Sequence, residues 1–382
     1  MTRAREVMRC LAGGVGLLGY NAATARQPIG ADAAERIVVA VPSHNEEKQI
    51  AATIGSLLAQ TRRPDEIVVI CDNCTDRTAG IAAGYPVRII ETTGNRHKKA
   101  GALNQAFDQL LPQLRPQDAV LVMDADSALE ARFVEISLER LSRGDVSAVG
   151  GTFTGQPGSG LVGTFQRNEY ARYARDVGRL KGRVLVLTGT ATVFRVSVLR
   201  EVCQARADGR LPGSGGQVYD TRVLTEDNEL TLALLHLGHR IISPQGCRLT
   251  TEVMPTWRAL AQQRLRWKRG ALENLTDYGW TRVTRRYWGR QALSLVGVVV
   301  TFVYLASVAW SLLVDGGLHL QPLWLIVTAV FSAERVVTVR SRGAVQMLLS
   351  SVLVVEMVFD VFLQGIQARA YVDSLLRHER RW

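Results

Sequence analysis

Three apolar runs, Arg36–Val41, Ile67–Cys71 and Ala119–Met123, each break off into a polar cluster: Pro42–Glu47, Asp72–Asp76 and Asp124–Asp126. Runs this short and this rich in Val, Ile and Leu are strands buried on both faces rather than helices. A fourth strand is expected at Val87–Glu91. Helical segments separate the strands: one leads from Glu47 to about Gln60, one starts at Thr75 or Asp76, and one opens at Gly94–Gly101 and runs through Leu110. Strands alternating with helices predict an α/β fold with a mostly parallel sheet. Ligands of such sheets bind beyond the C-terminal ends of the strands, so the three polar clusters should converge on one edge.

Asp124-Ala125-Asp126 sets the chemistry of that edge. Two carboxylates one residue apart repel each other, and a divalent cation between them and a phosphate relieves the repulsion; hard oxygen ligands suit Mg²⁺ or Mn²⁺. Further on, Val146–Phe153 reads as a strand and Leu161–Lys181 as an Arg-rich helix. Thr188-Gly189-Thr190-Ala191 offers small residues where backbone and substrate can approach closely, and Asp208–Tyr219 is a glycine-rich loop expected to be mobile. Thr225-Glu226-Asp227 starts a helix that runs to about Leu237. A helix over Trp257–Leu275 puts Gln263, Arg266 and Trp267 on one face.

The formal charge of +11 does not point to nucleic acid, because the Arg and Lys residues form no stripe interleaved with aromatics. Many flank an apolar tail instead, which suits anionic headgroups and an anionic nucleotide. The five cysteines, Cys10, Cys71, Cys74, Cys203 and Cys247, are odd in number and scattered, which argues for a reducing compartment. Cys71-x-x-Cys74 has no second pair to complete a tetrahedral metal site. His44 and His97 read as structural or phosphate-adjacent rather than as bases.

Asp72, Asp124-x-Asp126, Thr225-Glu226-Asp227 and Gln263-x-x-Arg266-Trp267, in this order before a hydrophobic tail, resemble the membrane-bound family 2 glycosyltransferases, which include hyaluronan, cellulose and poly-N-acetylglucosamine synthases. The resemblance covers residues 36 to 275 and implies a GT-A type fold. It implies that Asp72, with Asn73 and the turn that carries Pro42, Asn45 and Glu46, contacts the nucleotide, and that Lys99 meets the nucleotide or its pyrophosphate. Asp124 and Asp126 would hold the nucleotide and its Mg²⁺ or Mn²⁺, and Asp227, with Glu226 as the alternative, would be the general base. Gln263, Arg266 and Trp267 would line the junction of diphosphate and acceptor. The implied reaction is inverting transfer from a nucleotide sugar, a UDP-sugar first of all, to a polysaccharide, glycolipid or other membrane-proximal acceptor. A sugar nucleotidyltransferase would use the carboxylates but not the Gln263–Trp267 helix or the tail, and a non-catalytic binding subunit would not need all four aspartates.

Residues 1–35 mimic a signal peptide, but four glycines weaken the apolar stretch as a helix, and an interfacial or loosely ordered N-terminal segment is expected rather than a cleaved one. Residues 36–278 are expected to be the cytosolic catalytic domain and 279–382 a membrane region. Gln291–Val314 carries no charge and is long enough to span a bilayer, and Gly316–Ala333 is just sufficient. Arg282, Arg285, Arg286 and Arg290 before the first run, and Arg335, Arg340 and Arg342 after the second, orient the pair as a hairpin with its ends in the cytosol. Ala344–Ile366 has Glu356, Asp360 and Gln364 on one stripe, so it either spans with that stripe against protein or lies at the interface. Two or three spans do not readily enclose a polymer channel, and processive export would require a homo-oligomer or a partner subunit.

Overall fold

The structure, a computed structural model, describes residues 36–213, 215–314 and 353–376, with 317 and 337. The N-terminal segment 1–35, the second apolar run apart from residue 317, and residues 344–352 of the third run lie outside the described residues. The described chain divides into two compact units, 36–158 with 176–253, and 159–175 with 254 onward.

The first unit is built on a seven-stranded sheet. Its strands are β1 (Ile37–Ser43), β2 (Glu66–Cys71), β3 (Arg88–Glu91), β4 (Ala119–Met123), β6 (Ala148–Gly150), β8 (Ala191–Arg195) and β9 (Ile241–Ile242), in the order β3-β2-β1-β4-β8-β6-β9. β1 runs parallel to both β2 and β4, with Ser43 beside Cys71 and Ala40 beside Val122, so the three polar clusters leave the same edge. β8 alone is reversed, antiparallel to β4 and β6. All seven residues of β1 and all five of β4 are buried, as expected of strands covered on both faces. On one face α1 (Ile50–Leu58) inserts Ile50, Ile54 and Leu57 against Val39, Val69 and Leu121. α3 (Lys98–Leu110) packs against β1 and β2. Between them in sequence lies the short α2 (Thr78–Ala82).

Residues 146 to 153 are not one strand. Gly150 ends β6, and β7 (Thr152–Gly155) belongs to a second sheet with β5 (Ser127–Leu129) and β10 (Arg248–Thr251). The break is steric: a Cβ on Gly150 would stand 2.8 Å from Ser243 Oγ, and one on Gly151 2.3 Å from Leu249 Cδ2. α4 (Phe133–Ser142) follows β5. Within the glycine-rich segment, Leu211, Val218 and Tyr219 are buried. Asn104 of α3 clamps the Tyr219 backbone, accepting its N–H at 3.0 Å and donating to its carbonyl at 2.9 Å.

The second unit is helical. It holds most of α5 (Gly160–Arg179), α8 (Trp257–Tyr278), α9 (Arg285–Val314) and α10 (Leu353–Leu375); α6 (Val196–Ala207) and α7 (Glu226–His236) belong to the first. Val162, Phe165, Leu260 and Phe359 form its core, with Phe165 and Phe359 stacked at 4.9 Å and Trp257 edge-on to Phe362 at 4.9 Å. The Tyr371 hydroxyl of α10 donates to the Gln291 carbonyl at 2.9 Å. Among the described residues α9 is the one helix long and apolar enough to cross a membrane, and its outer residues are bare, Val303 63% and Trp310 66% exposed.

Candidate active site

The strand ends of the first unit bring most of the sequence-derived residues together. Lys99, in the first turn of α3, points its ammonium at Asp124 Oδ1 (2.5 Å), Glu226 Oε1 (3.1 Å) and the Gly189 carbonyl (3.3 Å). Burial works against that charge, but Asp124 and Glu226 outweigh it and hold the amine well above its ordinary value. Gly189 is used from both sides, because its N–H donates to Asp227 Oδ2 at 3.0 Å. A Cβ there would lie 3.1 Å from that oxygen and 3.3 Å from Lys99 Nζ, so the close approach needs glycine. The other Asp227 oxygen takes the Asn228 N–H at 2.8 Å. Burial, then the neighbouring Glu226, pushes the Asp227 carboxyl up to about 6.

Asp124 leaves β4 with its N–H bonded to the Thr190 carbonyl. Asp126 accepts from Ser127 Oγ at 3.1 Å and Thr251 Oγ1 at 3.3 Å. Burial first, then Asp124, raises it to about 6, and Glu252 adds to the push. Across the edge Glu46 is raised to about 7 by burial and by Asp126, Glu252 and Asp124. This side of the site therefore carries more negative charge than its protein neighbours neutralise. Among the described residues no three His, Cys, Asp or Glu side chains already converge as a metal cage. A Mg²⁺ or Mn²⁺ ion needs only one or two carboxylates when phosphate oxygens and water complete its shell, so the donor set fits such an ion.

Asp72, 6% exposed at the end of β2, faces the same edge; its Oδ1 accepts from Thr92 Oγ1 (2.8 Å), Asn95 Nδ2 (2.8 Å) and Asn73 Nδ2 (3.0 Å). The β1 turn is tied down beside it. Asn45, at φ 58°, accepts the Thr75 N–H, Glu46 N–H donates to Thr78 Oγ1, and a His44 ring nitrogen donates to the Asp72 carbonyl at 2.6 Å. Pro42 is buried within β1, and His97 precedes α3 without capping it by its side chain.

A model of the family described as "Glycosyltransferase like family 2" matches residues 34–270. The chain belongs to glycosyltransferase family 2. This glycosyltransferase is 27% identical over 296 residues to the poly-beta-1,6-N-acetyl-D-glucosamine synthase of Staphylococcus aureus (strain COL), covering 72% of this chain and 66% of that one. The Staphylococcus epidermidis synthase of the same name is 26% identical over 292 residues, 73% of this chain and 63% of that one, so the chain spans just under two thirds of the length of these relatives. Among solved structures, the mannosyltransferase PcManGT from Pyrobaculum calidifontis, in complex with GDP-Man and Mn²⁺, shares the fold with a TM-score of 0.58, 19% identity, and coverage of 92% of this chain and 90% of that one.

In the helical unit of the glycosyltransferase, α8 carries Gln263, Arg266 and Trp267. Thr256 caps the helix, accepting the Ala259 N–H at 3.2 Å. The sequence reading missed Arg264, which organises the motif. Buried to 2% exposure, it pairs with Glu169 at 2.7 Å, donates to Gln263 Oε1 at 3.1 Å, and lies 4.3 Å from the Trp267 ring, which is 37% exposed. In the other unit it missed Glu252 and Tyr219. Neither belongs to a motif, and only the folded chain brings them near the carboxylates. Burial pushes the Tyr219 phenol up, so it stays protonated.

Proposed function

We propose that the chain is an inverting, divalent-metal-dependent glycosyltransferase that moves a sugar from a UDP-sugar to a polysaccharide, glycolipid or other membrane-proximal acceptor. The observation that carries this reading is the Lys99 bridge, which ties the Asp124 carboxylate to the Glu226–Asp227 pair and so joins a phosphate-and-metal side to a base side within one cleft. Asp124 and Asp126 would hold Mg²⁺ or Mn²⁺, which when bound stabilises charge on the departing diphosphate. Asp72, Asn73, Asn45, Glu46 and Pro42 form the nucleotide end.

Asp227 is the base. With a carboxyl near 6 it is ionised at neutral pH, yet more basic than an exposed carboxylate, which suits removal of a hydroxyl proton as that oxygen attacks the anomeric carbon. The bond from that carbon to the diphosphate oxygen breaks on the opposite face, so one displacement inverts the centre. Glu226, buried and committed to Lys99, acts as the anchor of the ammonium. Lys99 serves the diphosphate. Within the helical unit Trp267 lies against Arg264 and stays 37% exposed, which suits it to pack on a sugar ring, and Gln263 and Arg266 keep the acceptor and diphosphate roles that the resemblance implies. The bare apolar surface of α9 supports membrane residence, with the α/β unit on the cytosolic side where nucleotide sugars are made.

The test is release of nucleoside diphosphate by detergent-purified protein from a panel of nucleotide sugars, with Mg²⁺ or Mn²⁺ and with EDTA. Metal-dependent release from one UDP-sugar, lost in Asp227→Asn, is the expected result. No release from any donor, with membrane lipids and oligosaccharides supplied as acceptors, overturns the proposal.

A further inference from the structure

The nucleotide end and the diphosphate end of the site are carried by different elements, Asp72 at the end of β2 and Lys99 on α3, and the Asn95 side chain bonds to both ends directly, while Asn73 bridges Asp72 to the Asn95 carbonyl. Asn95 is buried, and its Nδ2 donates both to Asp72 Oδ1 and to the Lys98 carbonyl, each at 2.8 Å. Its Oδ1 accepts the His97 N–H at 2.9 Å. The amide thus holds the Asp72 carboxylate with one hand and the first turn of α3 with the other, immediately before Lys99. Gly101 makes room for it: a Cβ at that position would lie 2.1 Å from Asn95 Oδ1 and 2.8 Å from His97 Cβ. Lys98 has a φ of 51°, in the left-handed region that side chains rarely adopt, so the turn depends on being held.

We infer that Asn95 is a positioning residue that locks the base-reading carboxylate Asp72 to the helix start bearing Lys99, so that nucleobase and diphosphate are read as one rigid unit. The inference rests on the proposed donor site. Thr92 supplies the contrast, because its hydroxyl donates to the same Asp72 oxygen at 2.8 Å while its side chain makes no bond to the α3 turn. Removing Thr92 loosens only the base end. Removing Asn95 loosens both, even though Thr92 and Asn73 still donate to Asp72.

Calorimetric titrations of the full-length protein in detergent with Mn²⁺ test this, using UDP, uridine and inorganic pyrophosphate as three separate probes. In Thr92→Val, uridine and UDP weaken together by roughly tenfold and pyrophosphate is unchanged, as loss of one hydrogen bond to a charged group requires. In Asn95→Ala, pyrophosphate weakens as well, and UDP loses at least tenfold more than in Thr92→Val. Asn95→Ser, which keeps a small polar group, gives the same pattern if the alanine variant does not fold. Variants of Asn95 that spare pyrophosphate and match Thr92→Val overturn the coupling and leave the donor site standing. A wild-type protein that binds none of the three probes overturns the donor site itself, and the coupling with it.

Discussion

The two units bury charge in opposite senses. The α/β unit gathers Glu46, Asp124, Asp126, Glu226, Asp227 and Glu252 at one sheet edge with Lys99 among them, and burial first, then the crowding of like charges, raises Glu46, Asp126 and Asp227 well above ordinary carboxyls. The helical unit buries a cation, Arg264, and pairs it with Glu169 between the faces of Tyr170 and Trp267. An unbalanced acidic edge is a site waiting for positive charge. A charge-paired guanidinium is a scaffold that orients its neighbours. The difference teaches that the charge to look for at a functional edge is the one its own neighbours leave uncompensated.

The sharpest way to break the comparison is Asp227→Asn. If the acidic edge is chemical and not architectural, turnover falls by about 10²- to 10⁴-fold with the melting temperature nearly unchanged, as measured by diphosphate release and thermal unfolding. The reverse holds for the scaffold ions. The α/β unit has its own fully buried pair, Arg206–Glu229 at 2.6 Å with side chains 0% and 1% exposed, and Arg206→Met should cost about 3–5 kcal/mol because Glu229 keeps its buried charge but loses its counter-ion. Arg264→Met should cost less in urea unfolding, because Glu169 keeps 32% of its side chain in solvent.

Lys99→Met sharpens the electrostatic side. The ammonium holds the Asp227 carboxyl down against burial and Glu226, so its removal should shift the acid limb of kcat/KM to higher pH from near pH 6 in the wild type. The smallest effect is on stability against pH. Raised carboxyls are ionised less favourably in the folded chain than in the unfolded one, so the ion-free protein should gain stability as pH falls from about 7 towards 5, the window set by Glu46, Asp126 and Asp227. Mn²⁺ should raise the melting temperature more at pH 7.5 than at pH 5.5, since protonated carboxyls bind it weakly.

The sequence pattern made β1, β2 and β4 legible because each is a short, uniformly buried run that ends in polar residues, and parallel pairing then puts their ends together. It did not reveal that β8 runs backwards between β4 and β6, since a buried strand reads the same in either direction. Gly150-Gly151 could have signalled the change of sheet, but a glycine pair marks a break without naming the partner on each side. Arg264, Tyr219, Glu252 and Asn95 stayed hidden for another reason. Each acts through a contact far along the chain, as Arg264 does with Glu169, 95 residues away. The same holds for Gly101, whose requirement is visible only once Asn95 lies against it.

The Lys99 bridge has a consequence for the enzyme at rest. With its ammonium seated between Asp124 and Glu226, Lys99 offsets only part of the acidic edge, and two carboxylates share that one counter-ion. On the proposed function, a cation that reaches Asp124 competes with Lys99 for the same carboxylate.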